Sequence, residues 1–257
     1  MHFNDPTIYS YLVGGAIAII VSVIIILKER KVVLNILFGS TLLFWGISLL
    51  TNALTFLFKD ATGVGVQIVR DIATSSGSIG AFLLFATSLA MYRGVHYLKK
   101  WYFLIPWIII MGVNTIIGSV FDYVVDDIDT GYGVKTTQEP WVLIFLYLMP
   151  LIMISISEIY LGLTRKVVKE KIIKTRIRLF MWGFLFIIIG IVDYIIFSLI
   201  ENLTNYLLPN IEYASWIIAS IFWAAAPILM LIGFFIGKVK VIWPQTEKHD
   251  TPEKESN

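Results

Sequence analysis

The sequence predicts an all-α, polytopic membrane protein. It is read as a bundle of seven transmembrane helices with its N-terminus outside and its C-terminus cytoplasmic. Three observations lead there. Of 257 residues, 58% are apolar and 15% charged, where a soluble domain carries about 25% charged residues. The apolar residues fall in seven runs, each long enough to cross the roughly 30 Å hydrocarbon layer. Lys and Arg crowd into alternate connections between those runs. A mean hydropathy of +0.81 excludes a soluble globular enzyme, a disordered protein and a nucleic-acid binder, because surface scaling keeps much of a small soluble protein wet.

The first run, Tyr9 to Leu27, is preceded by Asp5 and followed by Lys28-Glu29-Arg30-Lys31. It lacks the basic start of a signal peptide and has the basic stop of a span. The second runs from about Leu34 to Phe58. The third, Ile72 to Tyr92, carries a stripe of small residues, Ala73, Gly77 and Ala81. Such stripes let membrane helices approach closely. The fourth is Tyr102 to Phe121. The fifth, Trp141 to Leu163, contains Pro150, and the sixth is Leu179 to Ile200. The seventh, Tyr213 to Gly237, contains Pro227 and ends on Gly233 and Gly237. Pro150 and Pro227 predict kinks. The runs are continuous Ile, Leu and Phe. Barrel strands alternate in polarity, so these are helices that satisfy their own backbone. Trp101, Tyr102, Trp141, Tyr213, Trp216 and Trp243 sit near the run ends, as interfacial aromatics do. The chain divides into a seven-helix domain, 1–240, and a polar cytoplasmic tail, 241–257, expected to be disordered.

Orientation follows from charge. Seventeen of the 20 basic residues fall on one side, and Lys59, Arg70 and Lys135 on the other. The basic side is cytoplasmic by the positive-inside rule. The connection Thr164 to Arg178 is the most basic, and it is expected to extend the fifth and sixth helices beyond the membrane. Arg165, Lys166, Lys169, Lys171 and Lys174 there are candidates for contact with a cytoplasmic partner or anionic lipid. On the opposite side, Asp127-Ile-Asp129-Thr-Gly131 resembles the start of an EF-hand loop, but its twelfth position is Gln138. A solvated acidic loop is the expectation. Asn202-Leu-Thr204 fits the glycosylation triplet and the outer side.

There is no cysteine, and the three histidines, His2, His96 and His249, lie outside the apolar runs. Disulfides and thiolate sites are therefore excluded, and no metal or cofactor is expected. Ionisable groups inside spans are costly and point to function. Asp193 lies about 21 Å from the start of the sixth run and Glu158 about 26 Å from the start of the fifth, at 1.5 Å per residue. Their depths differ, so they are not expected to pair. Near the depth of Asp193 the other runs offer Ser48, Asn52, Ser75, Ser76, Ser78, Asn114, Tyr147 and Ser220. Asp193, Asn52, Ser48, Ser75, Ser78, Asn114 and Tyr147 are the candidate ligand-pocket residues, with Arg70 and Asp71 at the mouth. Singly, each is equally explained as a hydrogen bond between helices.

Retinal proteins need a Schiff-base lysine, and the seventh run has none. The acidic-Arg-aromatic and Asn-Pro-x-x-Tyr motifs of G-protein-coupled receptors are replaced by Ala90-Met91-Tyr92-Arg93 and Ala226-Pro227-Ile228. Tyr9-Ser10-Tyr11, the basic run Lys28 to Lys31, and the stretch from Phe82 to Tyr92 followed by a short basic loop and Trp101 form a pattern. That pattern resembles the seven-helix N-terminal sensor region of prokaryotic histidine kinases. The resemblance implies a free-standing sensory module, since no kinase domain is read after Gly237, and it carries over no site residues. The expected function is therefore a receptor-like, non-enzymatic protein of the cell membrane. It would take a small-molecule ligand and signal through a separate cytoplasmic partner. The alternative is a small-solute or ion transporter. Transporters often show paired repeats, and none is evident here.

The charge split makes the layout testable. A reporter fused after Lys240 is expected to be cytoplasmic and one inserted near Thr130 external; the reverse pattern in a protease-accessibility assay would overturn the orientation.

Overall fold

A computed structural model of the chain describes residues 6–28, 32–57, 64–121, 123–124, 136–137, 140–203 and 209–236. The acidic loop residues Asp126 to Gly131, Gly237 and the tail from 241 lie outside the described residues, as does Thr204 of the glycosylation triplet. The protein is all-α, and its seven helices are long and apolar enough to span a membrane. They are α1 (Pro6–Lys28), α2 (Val33–Leu57), α3 (Val64–Arg93), α4 (Trp101–Phe121), α5 (Pro140–Val167), α6 (Lys171–Leu203) and α7 (Pro209–Phe235). Between α4 and α5, Tyr123 and Val124 pair antiparallel with Thr137 and Thr136.

The helices outrun their apolar segments. α3 begins eight residues before Ile72, α6 eight before Leu179 and α7 four before Tyr213. Hydropathy marks where lipid begins, whereas a helix ends where its caps and propensities end it. Gln67 and Asp71, one turn apart in the polar start of α3, support that extension by a 2.9 Å side-chain hydrogen bond. α3 stops at Gly94, whose φ of +92° suits glycine and whose amide bonds to the Ala90 carbonyl at 2.9 Å. A 3-10 turn, Val95–Lys99, then leads into α4.

Six helices close a ring in the order α1, α2, α3, α5, α6, α7 and back to α1, and α4 docks outside against α3 and α5. The ring is filled by side chains rather than left as a channel. Phe38 of α2 meets Phe180 of α6 at 4.9 Å between ring centroids, and Trp45 of α2 meets Trp223 of α7 at 6.1 Å. α4 turns Ile105, Ile108, Ile109, Val113, Ile116 and Val120 outward. With lipid as the surrounding solvent, such exposed aliphatics need no protein cover.

Lipid supplies no hydrophobic force between helices, so close packing must hold them together. Small residues provide it. A Cβ at Gly46 of α2 would lie 2.9 Å from the Gly15 carbonyl oxygen of α1, and a Cβ at Gly15 would lie 3.0 Å from that of Gly46. The two backbones are thus in direct contact. Gly183 and Gly233 play the same part between α6 and α7, facing Met230 and Leu179 respectively. Gly190 lies so close under Trp223 that any Cβ there would overlap the indole.

Gly46→Val tests this contact: it should destabilise the bundle by about 1–3 kcal/mol through overpacking, read as a lowered unfolding midpoint in detergent. Gly112→Ala, where a Cβ meets nothing within 4 Å, serves as the neutral comparison.

Candidate functional site

Asp193 lies on α6 where the chain needs a polar partner, and α7 supplies one. Ser215 Oγ donates to Asp193 Oδ2 at 2.9 Å, and Ser215 is buried. The next residue, Tyr194, is buried and turns toward α5, where its ring lies 4.8 Å from that of Tyr147. One turn of α6 therefore engages both of its neighbours.

Asn114 sits on α4 and is 1% exposed. Its Nδ2 donates to Ser78 Oγ of α3 at 2.9 Å and to the Leu146 carbonyl of α5 at 3.3 Å. That carbonyl is special because its usual partner would be the amide of residue 150. Residue 150 is proline and has no N–H. Asn114 thus satisfies a backbone acceptor that Pro150 leaves open inside the membrane. Ser48 of α2 donates to the Ala73 carbonyl of α3 at 2.7 Å, and Gly77 makes room for it, since a Cβ there would lie 3.1 Å from Ser48 Oγ. Asn52 and Ser75 are half-buried on α2 and α3, and Ser76 is buried.

The candidates read from the sequence therefore distribute over three seams. Ser48 belongs to α2–α3, Ser78 and Asn114 to α3–α4–α5, and Tyr147 and Asp193 to α5–α6–α7. Ser78 and Asn114 are in direct hydrogen-bond contact. Among the described residues, Asp193 bonds to Ser215 and to none of the other candidates. The physical reason is reach: serine and asparagine side chains cross one helix seam but not a filled bundle. Ser215 was not among the expected residues. Depth counted from the run ends favours Ser220, but helices cross at angles to one another, so equal counts along two runs do not by themselves bring two residues together. Ser220 instead donates to Ser10 of α1 at 2.6 Å. Of the two residues expected to cap the pocket, Arg70 is buried at 7% exposure and Asp71 is half-buried, bonded to Gln67.

At the other end of the bundle, α5 and α6 are joined by residues 168–170 and run well into the basic segment. Lys166, Lys169 and Lys171 are exposed, and Arg165 and Lys174 half-exposed. Two cations tie down the end of α7. Lys28 of α1 lies 4.8 Å and 4.5 Å from the ring centroids of Phe234 and Phe235. Arg176 of α6, buried, donates from Nε to the Ile236 carbonyl at 2.5 Å. A cation at a helix C-terminus also complements the helix dipole.

No family model and no curated protein matches the chain. Its class is set by its fold: a multi-pass integral membrane protein in contact with the lipid bilayer.

The Asn114 bridge makes a coupled prediction. Asn114→Leu should destabilise the fold by about 1–2 kcal/mol, the upper range of interhelical hydrogen bonds in membranes. The loss should be smaller in a Pro150→Ala background, where the backbone amide restored by the alanine can serve the Leu146 carbonyl. Strictly additive losses in the double-mutant cycle would show that the carbonyl does not depend on Asn114.

Proposed function

We propose that this membrane protein is a receptor-like sensor of the cell membrane. It takes a small-molecule ligand at its outer half and signals through a separate partner at its basic, cytoplasmic end. The observation that carries the reading is α6. It is one helix of 33 residues without proline, about 50 Å long at 1.5 Å per residue. It holds Asp193 near one end and the basic Lys171, Lys174, Arg176 and Arg178 at the other. A change in the Asp193–Ser215 contact is thereby geared to the basic corner through a stiff rod. Arg176 passes the same displacement to the end of α7. The resemblance to sensor regions of histidine kinases supports the same reading, with Arg165, Lys166, Lys169, Lys171 and Lys174 as the partner-facing group.

Transport of a small solute or ion is the second reading, favoured by Pro150 and Pro227 within α5 and α7, where a helix can flex. One preparation separates the two. The natural chain has no cysteine, so Val167→Cys, at a 74% exposed position, takes a single fluorescent label at the basic end. In proteoliposomes, a sensor should change label fluorescence when a solute from a panel is added outside, without accumulating it. Asp193→Asn should abolish the response while leaving the unfolding midpoint within about 1 kcal/mol of the parent, as expected of a near-isosteric change. Accumulation of a labelled solute inside the vesicles would establish transport instead.

A further inference from the structure

Glu158 takes no part in the contacts described so far. It lies on α5, nine residues and about 14 Å before the helix ends at Val167. Its neighbours one turn away, Ile154 and Leu161, are each 1% exposed, and Ser157 is fully buried with its hydroxyl committed to the Met153 carbonyl at 2.7 Å. Glu158 is half-buried, and its Oε2 is buried and, among the described residues, has no hydrogen-bond partner.

The surrounding helices explain why. α5 packs against α3, α4 and α6. Tyr147 and Tyr194 fix the outer level of the α5–α6 seam, and Gly162, whose Cβ would lie 3.8 Å from Met181, fixes the inner level. Glu158 falls between these levels on the α5 strip that includes Tyr147 and Ile154. The facing stretch of α6, from Leu179 to Val192, contains no charged group, hydroxyl or amide side chain. Its single side-chain donor, Trp182, is 49% exposed. The charged groups of the packed helices are engaged or remote. On α3, Arg93 lies over the rings of Tyr92 and Tyr97, at 5.0 and 5.9 Å, and Arg70 and Asp71 sit at the far end. On α6, Arg176 is bonded to Ile236, Asp193 to Ser215, Lys171, Lys174 and Arg178 lie in the first turns, and Glu201 lies in the last. α4 carries no Asp, Glu, Lys or Arg. The titratable tyrosines nearby, Tyr92 and Tyr160, stack on each other at 5.6 Å. On α5 itself, Arg165 is seven residues on.

We propose that Glu158 is a reversible proton-binding site in the basic half of the bundle, held as a neutral carboxylic acid while the α5–α6 seam is closed. An ionised carboxylate without a donor or counter-ion in such a place is far costlier than the acid. No set of three His, Asp or Glu side chains stands among the described residues to hold a metal ion in its stead. A single proton, exchanged with water at the basic end, is the ligand that fits. When it leaves, the carboxylate needs water or a cation, and the apolar face of α6 offers neither until the seam opens. Protonation thus closes α5 on α6, and deprotonation loosens them. This inference adds a second input to the proposed sensor and does not require that reading.

Infrared difference spectroscopy of the full chain in lipid tests it. At neutral pH, the carbonyl stretch of a protonated carboxylic acid should be present, shift in deuterium oxide, and vanish in Glu158→Gln. It should persist in Asp193→Asn. Raising the pH should remove the band reversibly and increase amide exchange in α5 and α6 in the parent but not in Glu158→Gln. Should the glutamine variant fail to fold, Glu158→Asp keeps the acid and should shift the band. Spectra of parent and variants that coincide in the acid carbonyl region would overturn the proposal.

Discussion

Every polar backbone group of a membrane helix must find a partner without water, and the architecture is arranged around that constraint. A straight helix meets it alone. Pro150 removes one amide in the middle of α5 and leaves the Leu146 carbonyl open. Asn114, from α4, closes that gap and reaches Ser78 of α3 with the same nitrogen. This one side chain gives α4 a polar reason to lie where it does, outside the ring, against the two helices it bridges. Among the described residues, Asn114 supplies the side-chain hydrogen bonds of α4 to the ring, and the rest is apolar contact, which lipid tails imitate well.

The same constraint shapes the seams. Membrane helices come close only where side chains are small, and close approach brings carbonyls within reach of hydroxyls. Ser22 donates to the Gly39 carbonyl at 2.6 Å across α1–α2, and Ser48 to that of Ala73 across α2–α3. In each case a glycine lies at the contact: Gly39 for Ser22, Gly77 for Ser48. Glycine and serine thus work as a pair, one admitting the neighbour and the other tying it. Apolar packing then fills what remains, with Phe38, Trp45, Phe180 and Trp223 spanning the ring. The polar residues of the spans are, in this light, first a means of assembly. Asp193 and Glu158 are different, because a carboxyl group is far more expensive than a hydroxyl for the same tie.

The fold was largely legible in the sequence because hydropathy runs report membrane thickness, a constraint that acts on each helix separately. Ring order was not legible, since α3 to α5 adjacency with α4 outside depends on shape between helices. The small stripe Ala73, Gly77 and Ala81 did announce a close partner for α3, though not which one. Type and depth single out the candidate residues, but depth along each run does not fix which side chains meet between crossing helices. Asp193 accordingly meets Ser215 rather than Ser220. Asn114 was legible as a polar residue at the right level. Its link to Pro150 was not, because the two lie 36 residues apart and meet only through the Leu146 carbonyl.

α6 joins these threads. Its ends are polar and its middle is wholly apolar, so it can slide or tilt as a unit while its ends exchange partners. Two of its glycines, Gly183 and Gly190, lie against α7, and its stretch from Leu179 to Val192 carries no hydroxyl, amide or charged side chain. The α6–α7 seam is pinned at both ends, by Asp193–Ser215 and by Arg176–Ile236. The α5–α6 seam has the aromatic contact of Tyr147 with Tyr194 at one level and the loose approach of Gly162 to Met181 at another. The hydrogen bonds at both ends of the α6–α7 seam couple those two helices, so they move as a pair against α5. The α5 side of that pair runs past the level of Glu158 and ends at the basic corner formed by residues 165–174.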